Sequence, residues 1–407
     1  MTPSEKNISL AKVQILDSLR NFFSGSLVPI TEVILMLFLI KHFNATTLEK
    51  TSLAIALKSG YLIALPISFF LLRRNFSVSK SLSGIFIICI AALSMITQSQ
   101  NVWFPVFLAL FIAFPLHGTH SLTATIYSAY PKKSRASRFA WSNISLMLGS
   151  IFFSIIFNEL ISETKLIENK QIDLIVIVTT VALILAALFS YHTPVLKSNH
   201  TKEDFKLKII FNVLKQDKLF TYVLFAWMLL GFSNLWLLPY RTNILVEERF
   251  GFSYNESTVL LLLVVIPELV YIIFSIPLGM FFDRANFILL RIMINLTFML
   301  YYIFFFFGDN LTFHILGSVC FGLARSGGNI AWKMWINKMV EKEKVALYMS
   351  IHSGTTGIRM VLAPMLGLVG LYQLGPTVCG IISIVFMSLS IILFIPLLRY
   401  GKVRFTH

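Results

Sequence analysis

The sequence predicts an all-α, polytopic membrane protein of about twelve transmembrane helices arranged as two six-helix pseudo-repeat bundles. Three observations carry that expectation. First, 57% of the 407 residues are apolar and only 13% are charged, with a mean hydropathy of +0.79. A soluble domain carries roughly 25% charged residues, and half that share cannot cover a water-facing surface of this size. Second, apolar runs long enough to cross a bilayer, which takes about 20 residues, recur from end to end. Third, Lys and Arg alternate loop by loop between rich and poor.

The apolar runs fall at 21–42, 51–72, 82–98, 103–129, 138–160 and 173–191, and then at 219–240, 257–282, 287–307, 311–337, 345–370 and 374–398. Each reads as a helix, because a segment in lipid must satisfy its own backbone hydrogen bonds. A membrane barrel would show short alternating segments instead. The abundant Phe (38 residues) suits lipid-facing packing and carries no chemistry.

The charges orient the chain. The loops after helices 1, 5 and 7 hold six basic residues: Lys41, Lys50, Lys165, Lys170, Arg241 and Arg249. The even-numbered loops and both termini hold 24, including Arg73 and Arg74, Lys132, Lys133 and Arg135, and Lys197 to Lys218. Cytoplasmic loops accumulate Lys and Arg, so both termini and the central loop 193–218 are expected in the cytoplasm of a cell with this protein in its inner membrane. The loop 241–256 is expected outside. The net charge of +15 is then a property of the loops and not a nucleic-acid surface. Residues 1–20 are polar and show no cleavable signal, so helix 1 is expected to be its own insertion signal.

The central loop divides the chain into an N-terminal six-helix bundle (1–192), a linker (193–218) and a C-terminal six-helix bundle (219–407). Within the linker, Phe205 to Lys215 is apolar on one side and basic on the other. This fits a helix lying on the membrane surface, with a plain basic linker as the alternative. Cys89, Cys320 and Cys379 lie in apolar segments without Cys-x-x-Cys spacing, which predicts neither a disulfide framework nor a zinc site. No cofactor, metal or nucleic acid is expected, and the chain is read as a monomer in the bilayer.

The halves match weakly at an offset of 208 to 211 residues. Gly118 maps onto Gly327, Gly149 onto Gly357, Pro66 onto Pro277 and Arg73 onto Arg284. The order and spacing favour two related bundles, an arrangement that places a binding site near the membrane midplane between them.

Ionisable residues at membrane depth are costly and are candidates for function. Glu32 lies midway along helix 1 after Pro29, and Glu268 midway along helix 8 after Pro267. Each is read either as a proton-carrying carboxylate or as the structural partner of an Arg. His117 and His120 share a face of helix 4 and suit a proton relay, substrate binding or packed hydrogen bonding. Arg325, Asn329 and Lys333 form a stripe on helix 10, where Arg325 suits an anionic substrate group or Glu32. Lys333 and Lys58 are expected to snorkel. His352, Thr356 and Arg359 share a face of helix 11, and Arg359 either lines a cavity or braces helix 8 through Glu268. Trp236, Tyr240 and Arg241 read as an aromatic belt at the outer surface.

The strongest local motif is Pro277-Leu-Gly279-Met-Phe-Phe-Asp283-Arg284, between helices 8 and 9. It resembles the Gly-x-x-x-Asp-Arg loop signature of the major facilitator superfamily. Gly279 would allow close helix approach, and Asp283 and Arg284 would make charge-assisted contacts across the bundle. The pattern departs from the family in its trailing basic residues, replaced by Ala285 and Asn286 with Arg291 further on. The first-half copy, Ser68 to Arg74, keeps the arginines but lacks Gly and Asp. Helix 11 adds Gly357-Ile-Arg359, Pro364 and Gly367, similar to a pattern of transporter-like members. The resemblance implies a secondary active transporter that moves a small solute by alternating access. Helices 1, 4, 7 and 10 would line the path, and the loop motif would serve as a cytoplasmic latch. Arg325, His117 and Glu32 would then meet in one central polar site, with protons as the candidate coupling ion. Two rivals are a membrane-embedded enzyme, such as a lipid-linked transferase, and a transporter-like receptor or assembly factor. The first would need a catalytic constellation that the 193–218 loop does not carry.

Overall fold

The computed structural model describes residues 10–73, 77–119, 122, 123, 126, 132–162, 169–194, 207–284, 286–340 and 345–399. Among these there is no strand, and the helices follow the expected order. The first six are α1 (Leu10–Phe43), α2 (Thr47–Arg73), α3 (Val78–Ile96), α4 (Trp103–His117), α5 (Lys132–Ser162) and α6 (Asn169–His192). A short linker helix, Leu207–Gln216, precedes α7 (Lys218–Val246), α8 (256–284), α9 (Phe287–Phe307) and α10 (Leu311–Met339). The helical stretch Val345–Phe394 is broken at Gly375, which adopts φ 81° and ψ 166°. A side chain would strain that backbone, and Pro376 follows, so α11 (345–374) and α12 (376–394) are separate helices.

Local chemistry sets several of these ends. Thr46 and Glu49 form a capping box at the start of α2: Glu49 accepts from the Thr46 amide at 2.6 Å, and the Glu49 amide reaches back to the Thr46 hydroxyl at 3.5 Å. Ser77, Asp217, Asn255, Asn286 and Asn310 cap α3, α7, α8, α9 and α10, each accepting an amide of the first turn. Asp217 also accepts from the Tyr348 hydroxyl at 3.0 Å, which ties the start of α7 to α11. Asn44, in the left-handed region at φ 48°, closes α1.

Contacts divide the chain into two units. The first is Met1–His200 with Tyr254–Glu268, and the second is Thr201–Ser253 with Leu269–His407. In the first unit α1 packs on α5, and α3 packs on α4 and α6. In the second, the pairs six helices further on recur: α7 packs on the α11–α12 stretch, and α9 packs on α10 and on that same stretch. Glycine allows the closest of these approaches. A Cβ on Gly149 of α5 would fall 1.8 Å from the Phe22 carbonyl oxygen of α1, and one on Gly367 of α11 would fall 1.6 Å from that of Trp236 on α7. In both units, backbone meets backbone.

Three expectations need correcting. Helix 1 begins at Leu10, not at 21, because a buried polar face continues the helix inward. Asp17 and Arg20 are ion-paired at 2.7 Å, Ser142 of α5 donates to Asp17 at 2.6 Å, and Gln14 donates to Ser142 at 3.2 Å. Helix 7 does not end at 240: helical turns continue to Val246. Trp236, Tyr240 and Arg241 form no exposed belt, since all three are buried inside the second unit. Trp236 donates to Ser383, Tyr240 donates to the Pro364 carbonyl, and Arg241 lies 4.3 Å from the Phe321 ring. Their polar atoms have partners within the protein, so the interior is as good a place for them as the interface.

Candidate functional site

Prolines shape the backbone around both membrane-depth acids. Pro29 cannot donate to the carbonyl four residues back, and the chain turns at Gly25 and Ser26 before a π-helical turn at Ile30–Ile34. Glu32 sits in that turn. On α8, a second π turn, Leu261–Val265, directly precedes Ile266 and Pro267, with Glu268 next. The two π turns touch each other within the first unit. Such turns re-aim side chains and are frequent at functional positions.

Glu32 accepts from the Lys58 ammonium at 2.9 Å. Lys58 therefore does not snorkel; it is buried against α1. The pairing follows from the hairpin. Glu32 lies eleven residues before the end of α1 and Lys58 eleven residues after the start of α2. At about 1.5 Å per residue, both stand roughly 16 Å from the connecting turn, half the thickness of a bilayer core of about 30 Å. This signal was available in the sequence: two opposite charges equidistant from a tight helix–helix turn.

Beside the pair, Tyr61 of α2 stacks on His117 of α4 with ring centroids 5.0 Å apart. Gly60 makes room for this, since a Cβ there would approach the His117 Cβ to 3.1 Å. Glu32, Lys58, Tyr61 and His117 thus form one polar and aromatic patch of the first unit. Glu268 also belongs to that unit and is fully buried. His120 lies outside the described residues.

In the second unit, Tyr271 of α8 gathers the α10 stripe. Arg325 lies 5.9 Å from its ring and Asn329 donates to its hydroxyl at 3.5 Å. His352 is fully buried among Trp227, Trp332 and Trp335, with ring centroids 5.2 to 5.4 Å away. Arg359 braces α7: its Nη1 donates to the Trp227 carbonyl at 2.5 Å and its Nη2 to Thr356 at 3.1 Å. The guanidinium fits because position 231 is glycine, where a Cβ would fall 2.2 Å from the Arg359 Cζ. Sequence reasoning missed Arg291, which is buried, bonds Asn295 at 2.6 and 2.8 Å and lies 4.6 Å from the Trp227 ring.

At the loop motif, α8 continues helically to Arg284, while the side chains of Asp283 and Arg284 lie outside the described residues. Gly279 is not at a forced approach: among the described residues, a Cβ there would meet only the Ile330 side chain, at an ordinary 3.7 Å. Instead, Lys338 of α10 reaches the end of α8, donating to the Phe282 carbonyl at 2.5 Å and lying 4.4 Å from its ring. A cation on the terminal carbonyls of a helix is favourable, and it fixes the motif to α10.

The profile described as Major Facilitator Superfamily matches residues 21–309 and 250–406. No curated protein matches the chain by sequence. Among solved structures, a mutant of the nucleoside transporter NupG superposes with a TM-score of 0.71 at 15% identity, over 96% of this chain and 99% of its own. A D-xylose–proton symporter gives 0.72 at 10% identity, over 94% and 97%. A POT family transporter in complex with 5-aminolevulinic acid gives 0.72 at 13% identity, over 97% and 96%.

Proposed function

The chain belongs to the major facilitator superfamily and is a multi-pass secondary active transporter; on that premise we propose that the Glu32–Lys58 pair is where its solute and coupling ion act. The carrying observation is a carboxylate and an ammonium joined at 2.9 Å at mid-membrane depth, on a π turn, with a stacked Tyr61–His117 pair beside them. A structural cross-link needs no irregular backbone, and a switchable one benefits from it. A proton on Glu32 breaks the pair and frees Lys58, which makes proton coupling a property of one bond.

In this reading, Arg325, Asn329, His352 and Arg359 are the binding candidates of the second unit, and Glu268 is a second proton-carrying carboxylate. Along the sequence the chain divides at 1–192, 193–218 and 219–407, with Tyr254–Glu268 grouped by its contacts with the first unit; both termini are cytoplasmic, and the chain acts as a transporter and not as a lipid-linked transferase. Membership of a transporter family favours this over the receptor reading as well. The test is uptake and efflux by the reconstituted protein across a solute panel, with and without a pH gradient. Glu32→Gln should abolish the response to the gradient, and Arg325→Ala should abolish transport with the protein still monodisperse. A gradient response unchanged in Glu32→Gln would remove Glu32 from the coupling role.

A further inference from the structure

We infer that the linker helix Leu207–Gln216 is a docking element for anionic phospholipid, which holds the start of α7 to a negatively charged bilayer surface.

The spacing of the linker residues gives the helix two faces. Lys208, Asn212 and Lys215 recur at intervals of four and three, with Gln216 beside them. Leu207, Ile210, Phe211 and Leu214 recur on the opposite side. A helix that is basic on one side and apolar on the other lies in the plane of a membrane interface. The protein does not cover the apolar side at Phe211, which at 70% is the most exposed large apolar side chain among the described residues.

The helix also stands at the right level. Only Asp217 separates it from Lys218, the first residue of α7. The 29 residues of α7 cover roughly 43 Å, against about 30 Å of hydrocarbon and about 40–45 Å with the headgroups. The inner end of α7 therefore lies among headgroups, and the linker helix leaves from there. Its direction is set by hydrogen bonds within the second unit. The Asp217 amide donates to the Val213 carbonyl at 2.9 Å, and the Thr221 hydroxyl of α7 donates to the Leu214 carbonyl at 2.7 Å. The Asp217 carboxylate caps α7 at the Phe220 amide and accepts from Tyr348 of α11. A grip on the bilayer at this helix is thus passed to both α7 and α11.

Charge selects the lipid. Between residues 205 and 218, Lys206, Lys208, Lys215 and Lys218 are accompanied by one acid, Asp217, whose carboxylate is held as just described. Lys215 and Lys218 are exposed. A neutral headgroup offers such a helix apolar insertion alone. An anionic surface adds about fivefold in association for each lysine close to it.

The test reads position 211 in the full chain. With Cys89, Cys320 and Cys379 replaced, Phe211→Cys carries a bimane in place of the ring. The protein is placed, one copy per nanodisc, in phosphatidylcholine or in an equal mixture with phosphatidylglycerol. A nitroxide on the lipid headgroups should quench the bimane at least about threefold more in the anionic discs. Salt at about 1 M, where screening acts over about 3 Å, should erase the difference. Lys208→Gln with Lys215→Gln and Lys218→Gln should erase it too. The matching three Lys→Arg changes should keep it, with both variants monodisperse, which separates charge from folding. Equal quenching in neutral and anionic discs overturns the inference, as does a difference that survives the Gln changes. Quenching in neither disc shows that the bilayer does not cover this face, and shielding only when two copies share a disc assigns it to a second copy; either result overturns the inference. Soluble glycerol phosphate should leave the probe docked, and release by it would assign the lysines to a free anion instead.

Discussion

Asp17→Ala offers the sharpest energetic test of the first unit. The substitution removes the carboxylate from Arg20, whose side chain is 4% exposed, and from the Ser142 hydroxyl. Breaking a buried ion pair by deleting one partner costs about 3–5 kcal/mol, since Arg20 stays buried without its counter-charge. A domain of this size shifts its melting temperature by about 2–4 °C per kcal/mol, so the expected loss is roughly 6–20 °C. The protein carries its own reporters: Cys89 is buried in the first unit and Cys379 in the second. With all other cysteines replaced, a thiol-reactive dye reads each unit as the temperature rises. Asp17→Ala should expose Cys89 early and move Cys379 less. Asp17→Leu with Arg20→Met should recover most of the loss, because a buried pair replaced by apolar side chains is often neutral. A Cys89 transition within about 2 °C of the parent would refute the reasoning, as would a double variant no better than the single one.

Gly149→Leu should prevent α1 and α5 from docking, because even its Cβ meets the Phe22 carbonyl at 1.8 Å; size-exclusion profiles in detergent should show aggregate in place of a monodisperse peak. Asp283→Asn should lower transport at equal expression by weakening closure at the α8–α9 loop, and parental uptake by the variant would show that Asp283 is no latch. A cysteine placed at position 205 in a cysteine-free background should resist an impermeant maleimide in intact cells, and labelling from outside would invert the topology.

Hydropathy and the alternation of basic loops were enough to place the twelve helices, because span length and loop charge are each set by the bilayer alone. What averaging over an apolar window hides is polarity that the protein satisfies internally. Asp17 and Arg20 read as part of a polar tail, yet each neutralises the other and both are buried. Trp236, Tyr240 and Arg241 have the composition of an interface belt, but their partners Ser383, Pro364 and Phe321 lie on helices more than 70 residues away in the chain. Periodicity along one helix cannot show them. The candidate residues Glu32 and His117 are legible as depth anomalies, whereas the partner of Glu32 is legible only when Lys58 is set against the turn that brings it opposite and not as a single side chain. The π turns were equally hidden: the prolines at 29 and 267 announce a disturbance without saying which hydrogen bonds lengthen to absorb it.

The seating of Arg359 against Gly231 also constrains how this sequence can change over generations. A side chain at 231 would push the guanidinium out of this seat, so a lineage that keeps Arg359 in this position keeps glycine, and a lineage that loses the arginine opens a hole that a larger residue at 231 can fill. The two positions, 128 apart in the chain, should therefore drift as a linked pair. Because Arg359 also holds the Trp227 carbonyl, a change of that pair would alter the grip of α11 on α7 and give descendants a heritable means of loosening the second unit.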